Sequence, residues 1–151
     1  MNSMFKSSKR FVPTYIIIAL NIAAYAYTSV IGGDFIDTNP DVIRQYGQVN
    51  LSVMNGLYWQ LFTAMFIHVD IIHLLGNMFF LLIFGLRAED MFNIKEYLSI
   101  YLLSGLAGNL LTLLFGPTKM VSAGASGAIF GLFGACTIYI RRAIGQSIMG
   151  A

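Results

Sequence analysis

The chain has 151 residues, of which 57% are apolar and 11% charged, and its net charge is +2. Soluble domains carry roughly 25% charged residues, so this composition cannot build a water-exposed surface of ordinary polarity, whereas it can build one that faces hydrocarbon. The small net charge argues against a nucleic-acid partner, and the single cysteine, Cys136, excludes an intramolecular disulfide and lies in an apolar run where a packed thiol is expected. The length suits one domain, and the reading is an all-α polytopic membrane protein in contact with lipid.

Four segments meet the need for about 20 mostly apolar residues in a spanning helix. The first covers residues 11–31. Lys6, Lys9 and Arg10 precede it, as they would a signal peptide, but its apolar run exceeds the roughly 7–15 residues of a signal-peptide core. Asn21 within it is expected to bond to a neighbouring helix. Residues 32–58 then form a long mixed loop, glycine-rich and acidic at first, later bearing Val49, Leu51, Val53, Met54 and Leu57, and suited to lie against the bilayer interface with Tyr58 and Trp59 at headgroup level. The apolar run from Trp59 to Leu86 is longer than one span needs; Asp70 suits a helix N-cap, which places the second span at residues 71–87, about 25 Å long. The third is read at 97–115 and the fourth at 123–140. If all four cross, Lys6, Lys9, Arg10, Arg87, Lys95, Arg141 and Arg142 share one side and only Arg44 and Lys119 the other, so the positive-inside rule makes both ends cytoplasmic.

Polar residues inside spans are candidates for function because lipid offers them no partner. His73 and Asn77 lie one turn apart near the outer end of the second span, where they either line a polar cavity together or bond to neighbouring helices. His68, Asp70 and His73 also suggest a metal site, but a spacing of five does not put the two histidines on one helical face. In the fourth span Gly127, Gly131 and Gly134 fall at i, i+4 and i+7, a stripe that lets another helix approach closely. Ahead of it, Gly124-Ala125-Ser126-Gly127 sets a serine at a loop-to-helix turn, beside backbone N–H groups that lack intrahelical acceptors and can hold an oxyanion. Spans two and four run in the same direction, so His73, Asn77 and Ser126 fall at similar depth near the outer surface; a serine, amide and imidazole donors and a helix N-terminus are the parts of an acyl-transfer site.

At these residues the sequence resembles the rhomboid family of intramembrane serine proteases, over roughly Trp59 to Arg142. His68-Val-Asp-Ile-Ile-His73-Leu-Leu-Gly-Asn77 is similar to the family's His-x4-His-x3-Asn signature, and Gly124-Ala-Ser126-Gly127 to its nucleophile motif, with Gly134 at the downstream glycine position. Glu89 matches a structural acidic residue at the end of the second span, and Trp59 stands where the family has a Trp-Arg pair, although Gln60 replaces the arginine. The resemblance implies that Ser126 is the nucleophile, that Asn77 and His73 donate to the oxyanion with the Ser126 N–H, and that Trp59, His68, Glu89, Gly124, Gly127, Gly131 and Gly134 are structural. It implies no metal or cofactor, transmembrane protein substrates, and the loop 32–58 as a half-submerged element beside the active site.

The family has a core of six spans and takes its general base from a histidine on the sixth, which approaches the glycine stripe of span four. The only histidines here are His68 and His73. The sequence is therefore read as four of six spans, a single but incomplete rhomboid-like domain over residues 1–151 that is inactive or nearly so without the missing base. The alternatives are a non-catalytic rhomboid-like protein that binds transmembrane partners, and a small transporter or channel component; the near-absence of charge in the spans argues against the last. A prokaryotic plasma membrane is the expected location.

Overall fold

The structure, a computed structural model, describes residues 13–149. Lys6, Lys9, Arg10 and the first two residues of the expected first span lie outside the described residues, as does Ala151. In chain order the elements are α1 (Pro13–Gly32), α2 (Pro40–Tyr46), β1 (Gln48–Val49), α3 (Asn50–Met54), α4 (Gln60–Thr63), a 3-10 turn (Ala64–Phe66), α5 (Ile71–Met91), α6 (Ile94–Phe115), β2 (Val121–Ser122) and α7 (Ser126–Met149). Four of the helices, α1, α5, α6 and α7, are long and apolar enough to cross a membrane, so the protein is an all-α polytopic membrane bundle.

Local chemistry sets where each helix starts and stops, and in places it differs from the apolar pattern. Asp70 caps α5, its carboxylate accepting from the His73 N–H at 2.6 Å. The helix then continues past residue 87 to Met91, which places Glu89 inside its last turns. α6 begins at Ile94 rather than 97, because Asn93 and Glu96 form a reciprocal capping box, each side chain accepting from the other residue's backbone N–H. α7 begins at Ser126 rather than 123, because Gly124 has φ +126, which no helix accommodates. It then runs through Arg141 and Arg142 to Met149, because long cationic side chains do not interrupt a helix and can reach the lipid interface.

α7 packs between α5 and α6, and α1 packs on α5. α1 buries a single stripe, Thr14, Ile17, Asn21, Tyr25 and Thr28, at the helical spacing of three and four. Its first turn is held by Glu89, which accepts from the Thr14 N–H at 3.0 Å and so places a carboxylate at the positive end of the helix. Gly85 makes this junction possible: a Cβ there would stand 2.6 Å from Thr14 Cγ2 and 2.8 Å from the Tyr97 hydroxyl. Asn21 is buried, and its amide donates to the Ile17 carbonyl of its own helix at 2.8 Å.

The glycine stripe of α7 also proves to be divided. Gly127 lies against the Gly105 backbone of α6, and a Cβ at Gly131 would collide with Ser104. Nothing among the described residues comes within 4 Å of a Cβ at Gly134, because the contact with α6 is centred on the two upstream glycines. Gly131→Val should therefore destabilise the bundle by about 1–3 kcal/mol through overpacking. Gly76→Ala, at an open helical position, should instead stabilise it by roughly 0.5–1 kcal/mol. Thermal unfolding of both variants in detergent checks the pair.

Candidate active site

The loop before α5 and the N-terminus of α7 meet at the 3-10 turn. The Gly124 N–H donates to the Ala64 carbonyl at 2.8 Å, so the turn that precedes His68 also holds the strand that leads into Ser126. Antiparallel pairing of β1 with β2, Gln48 opposite Ser122 and Val49 opposite Val121, fixes the same strand from the other side. Held in this way, Gly124 passes directly over the His73 ring: a Cβ at 124 would stand 2.7 Å from His73 Cε1, 3.1 Å from Nε2 and 3.8 Å from the Asn77 amide nitrogen. Glycine is required here twice, for its positive φ and for this clearance.

Ser126 is the first residue of α7 and is exposed. Its backbone N–H belongs to the helix-terminal group without intrahelical acceptors. Asn77 is buried, and among the described residues its amide donates once, to the His73 carbonyl at 2.9 Å. An asparagine amide has two protons, so one remains for a ligand. Asn77 and Ser126 face one groove of about 230 Å³ between α5 and α7, whose walls are otherwise Phe80, Phe84, Ile129, Phe130 and Phe133. His73 is not part of that lining; it faces a separate pocket with Ile36, Asp37 and Asp70.

His68 behaves differently from the other polar residues of the set. It precedes α5, so helical spacing does not govern it, and the loop brings its ring edge-on to His73 with centroids 5.3 Å apart. It is fully buried and neither ring nitrogen has a partner among the described residues. Burial, reinforced by the neighbouring His73, pushes its pKa down to about 4, so it is neutral at physiological pH. The two histidines gather without a third His, Cys, Asp or Glu in a position to complete a metal site among the described residues.

The other expected residues stand apart from this cluster. Trp59 is half-exposed and meets Tyr46 edge-on at 6.5 Å. Glu89 holds the start of α1, and Gly134 faces open space. Gln60, where the family pattern has arginine, is buried and ties the outer loop together: its amide donates to the Arg44 carbonyl at 3.0 Å and its oxygen accepts from the Val49 N–H at 3.0 Å. Ala64 and Thr38 also hold the site, the latter through its hydroxyl, which donates to the His68 carbonyl at 2.7 Å. Neither stands out in the sequence, because one acts through its backbone and the other is an ordinary loop threonine.

A serine at a helix N-terminus shares a groove with an amide donor inside a bundle of membrane-spanning length, the arrangement of an integral membrane protein. A family model for the Rhomboid domain matches residues 55–148, more than half of the chain. The chain belongs to the rhomboid family, whose members include intramembrane serine proteases. It is similar to Rhomboid protease GluP of Bacillus subtilis (strain 168), 37% identical over 123 residues that make up 81% of this chain and 23% of that protein. It is also similar to the mitochondrial RHOMBOID-like protein 6 of Arabidopsis thaliana, 36% identical over 120 residues, 78% of this chain and 39% of that one. RHOMBOID-like protein 2 of the same plant is 47% identical over 74 residues, 49% of this chain and 23% of that protein. The chain thus spans between about a quarter and two-fifths of the length of these relatives.

The enclosure of His68 has a measurable consequence. Between pH 6.5 and about 4 the unfolded chain takes up a proton at this residue that the folded chain refuses. The unfolded state then binds more protons, so stability falls as pH drops through this window, by at most about 1.4 kcal/mol per unit, and levels off below it. Thermal unfolding from pH 7 to 4 should show this slope, and His68→Phe should flatten it.

Proposed function

We propose that this chain is the nucleophile-bearing part of an intramembrane serine endopeptidase that cleaves transmembrane proteins within or beside their membrane-spanning helices. The observation that carries the reading is that Ser126 and Asn77 line one groove, with Gly124 in close contact with His73 beside it. Ser126 Oγ attacks the scissile carbonyl carbon and gives up its proton to a general base. The resulting oxyanion is met by the free amide proton of Asn77, the Ser126 N–H and His73. Collapse expels the amine with a proton from the base, and water then hydrolyses the acyl-serine. The groove wall of phenylalanines suits an apolar substrate segment arriving from the lipid.

The general base is assigned to a residue outside these 151. Of the two histidines in the sequence, His68 is enclosed and His73 belongs to the oxyanion side. Without a base a serine hydroxyl is a poor nucleophile, so the 151 residues alone are expected to be inactive or nearly so. The same observation favours a second reading, a non-catalytic family member that binds transmembrane partners, against which the intact Ser126, Asn77 and His73 weigh. The charge bias of Arg87, Lys95, Arg141 and Arg142 against Arg44 and Lys119 supports a cytoplasmic N-terminus. A prokaryotic plasma membrane is proposed from the compact build and the bacterial relative.

A fluorophosphonate probe separates the two readings. In the protein extended to include a base, the probe should label Ser126, Ser126→Ala should abolish labelling, and Asn77→Ala should lower turnover by something like 10²-fold through loss of an oxyanion donor. Absence of labelling with the base present would leave the binding reading.

A further inference from the structure

The segment between α1 and α2 lies against the loop that precedes α5, and its hydrogen bonds point to a role in the site. The Thr38 N–H donates to the Val69 carbonyl at 2.8 Å, the Thr38 hydroxyl to the His68 carbonyl at 2.7 Å, and the Ile71 N–H to the Ile36 carbonyl at 2.9 Å. Asp37 and Asp70 form an antiparallel bridge between these attachments. The strap is itself held from behind, because the Tyr25 hydroxyl of α1 donates to the Ile36 carbonyl at 2.9 Å. Thr38 and Tyr25 are both buried, so these bonds form away from competing solvent.

We propose that the strap of residues 36–38, pinned by Tyr25 and Thr38, is the positioning device that sets the first turn of α5 and with it the place of His73 and Asn77 beside Gly124. The proposal rests on the protease reading for its catalytic meaning. Asp70, the residue bridged to the strap, is also the residue whose carboxylate caps the His73 N–H. Asn77 in turn bonds to the His73 carbonyl. A displacement of the loop is thus carried through Asp70 to His73 and on to Asn77. The clearance over His73 leaves little room for error, and a misplacement of about 1 Å in an active site can cost 10²-fold in rate. Thr38 and Tyr25 touch neither the groove nor Ser126, so they act as positioning residues.

Thr38→Val keeps the shape of the side chain and removes the hydroxyl, while Thr38→Ser keeps the hydroxyl. In the active protein with its base, Thr38→Val should lower kcat about tenfold with KM unchanged within twofold, and Thr38→Ser should stay within twofold of the parent. In the 151-residue chain in micelles, the amides of Asp70 to His73 should exchange with deuterium at least fivefold faster in Thr38→Val than in the parent. Unchanged kcat in a folded Thr38→Val protein, or equal losses in the valine and serine variants, would overturn the proposal. Should Thr38→Val fail to fold, Tyr25→Phe is read by the same criteria. Ser126→Ala, measured alongside, separates the two questions. If it keeps full turnover, the protease reading fails, while accelerated exchange in Thr38→Val would still support the strap's hold on the α5 turn.

Discussion

The backbone of residue 124 runs so close to the His73 ring that even one methyl group would not fit between them, and the end of the bundle where α5 and α7 begin is arranged around that contact. It fixes how deeply the start of α7 sits between α5 and α6. Further down the same helix, Gly131 against Ser104 is tighter still, while Gly127 meets Gly105 at ordinary van der Waals distance. Within lipid there is little hydrophobic gain in bringing two apolar helices together, so association rests on close packing and on hydrogen bonds between them. Small residues along α7 supply the first and the turns at its outer end the second. Ser126 inherits its position from both.

The loop between α1 and α5 shows how such a bundle pairs polar groups that packing has buried. Gln48, Asn50 and Gln60 are all buried, and their amides satisfy carbonyls of the loop itself and of α6 and its C-terminal end. Asn109 on α6 returns the favour by donating to the Leu61 carbonyl at 2.7 Å. The replacement of the family's arginine by Gln60 fits this scheme. A neutral amide both donates and accepts, so it can take the Val49 N–H as well as the Arg44 carbonyl. Arginine offers donors only. The exchange also avoids placing a charge in a buried setting, where it would need a partner.

Most of the architecture can be read from the residues because lipid imposes a simple rule, a run of apolar residues for each crossing, and because the caps at Asp70 and Asn93 are written in short side chains. The capping box at Asn93 and Glu96 was available to a reader of the sequence and places the start of α6 better than apolarity does. The candidate site stands in the sequence as two motifs, Gly124 to Gly127 and His73 to Asn77, and in the structure the two touch through a glycine. Other features could not be read. Spacing rules for helices say nothing about His68, because it is not on a helix, and a loop sets its ring beside His73. The bond from the Asn21 amide to the carbonyl four residues back on its own helix is likewise not written in the apolar pattern. Thr38 and Ala64 act through contacts that no local pattern encodes.

The anchors of the outer loop also carry an order in time. Gln48 and Asn50 reach partners 61, 62 and 67 residues further along the chain, and β1 pairs with a strand that directly precedes α7. A ribosome feeding this chain into a membrane releases the loop long before those partners exist. The loop therefore takes on its final hydrogen bonds only once α6 and β2 have been made, although it precedes both in the chain.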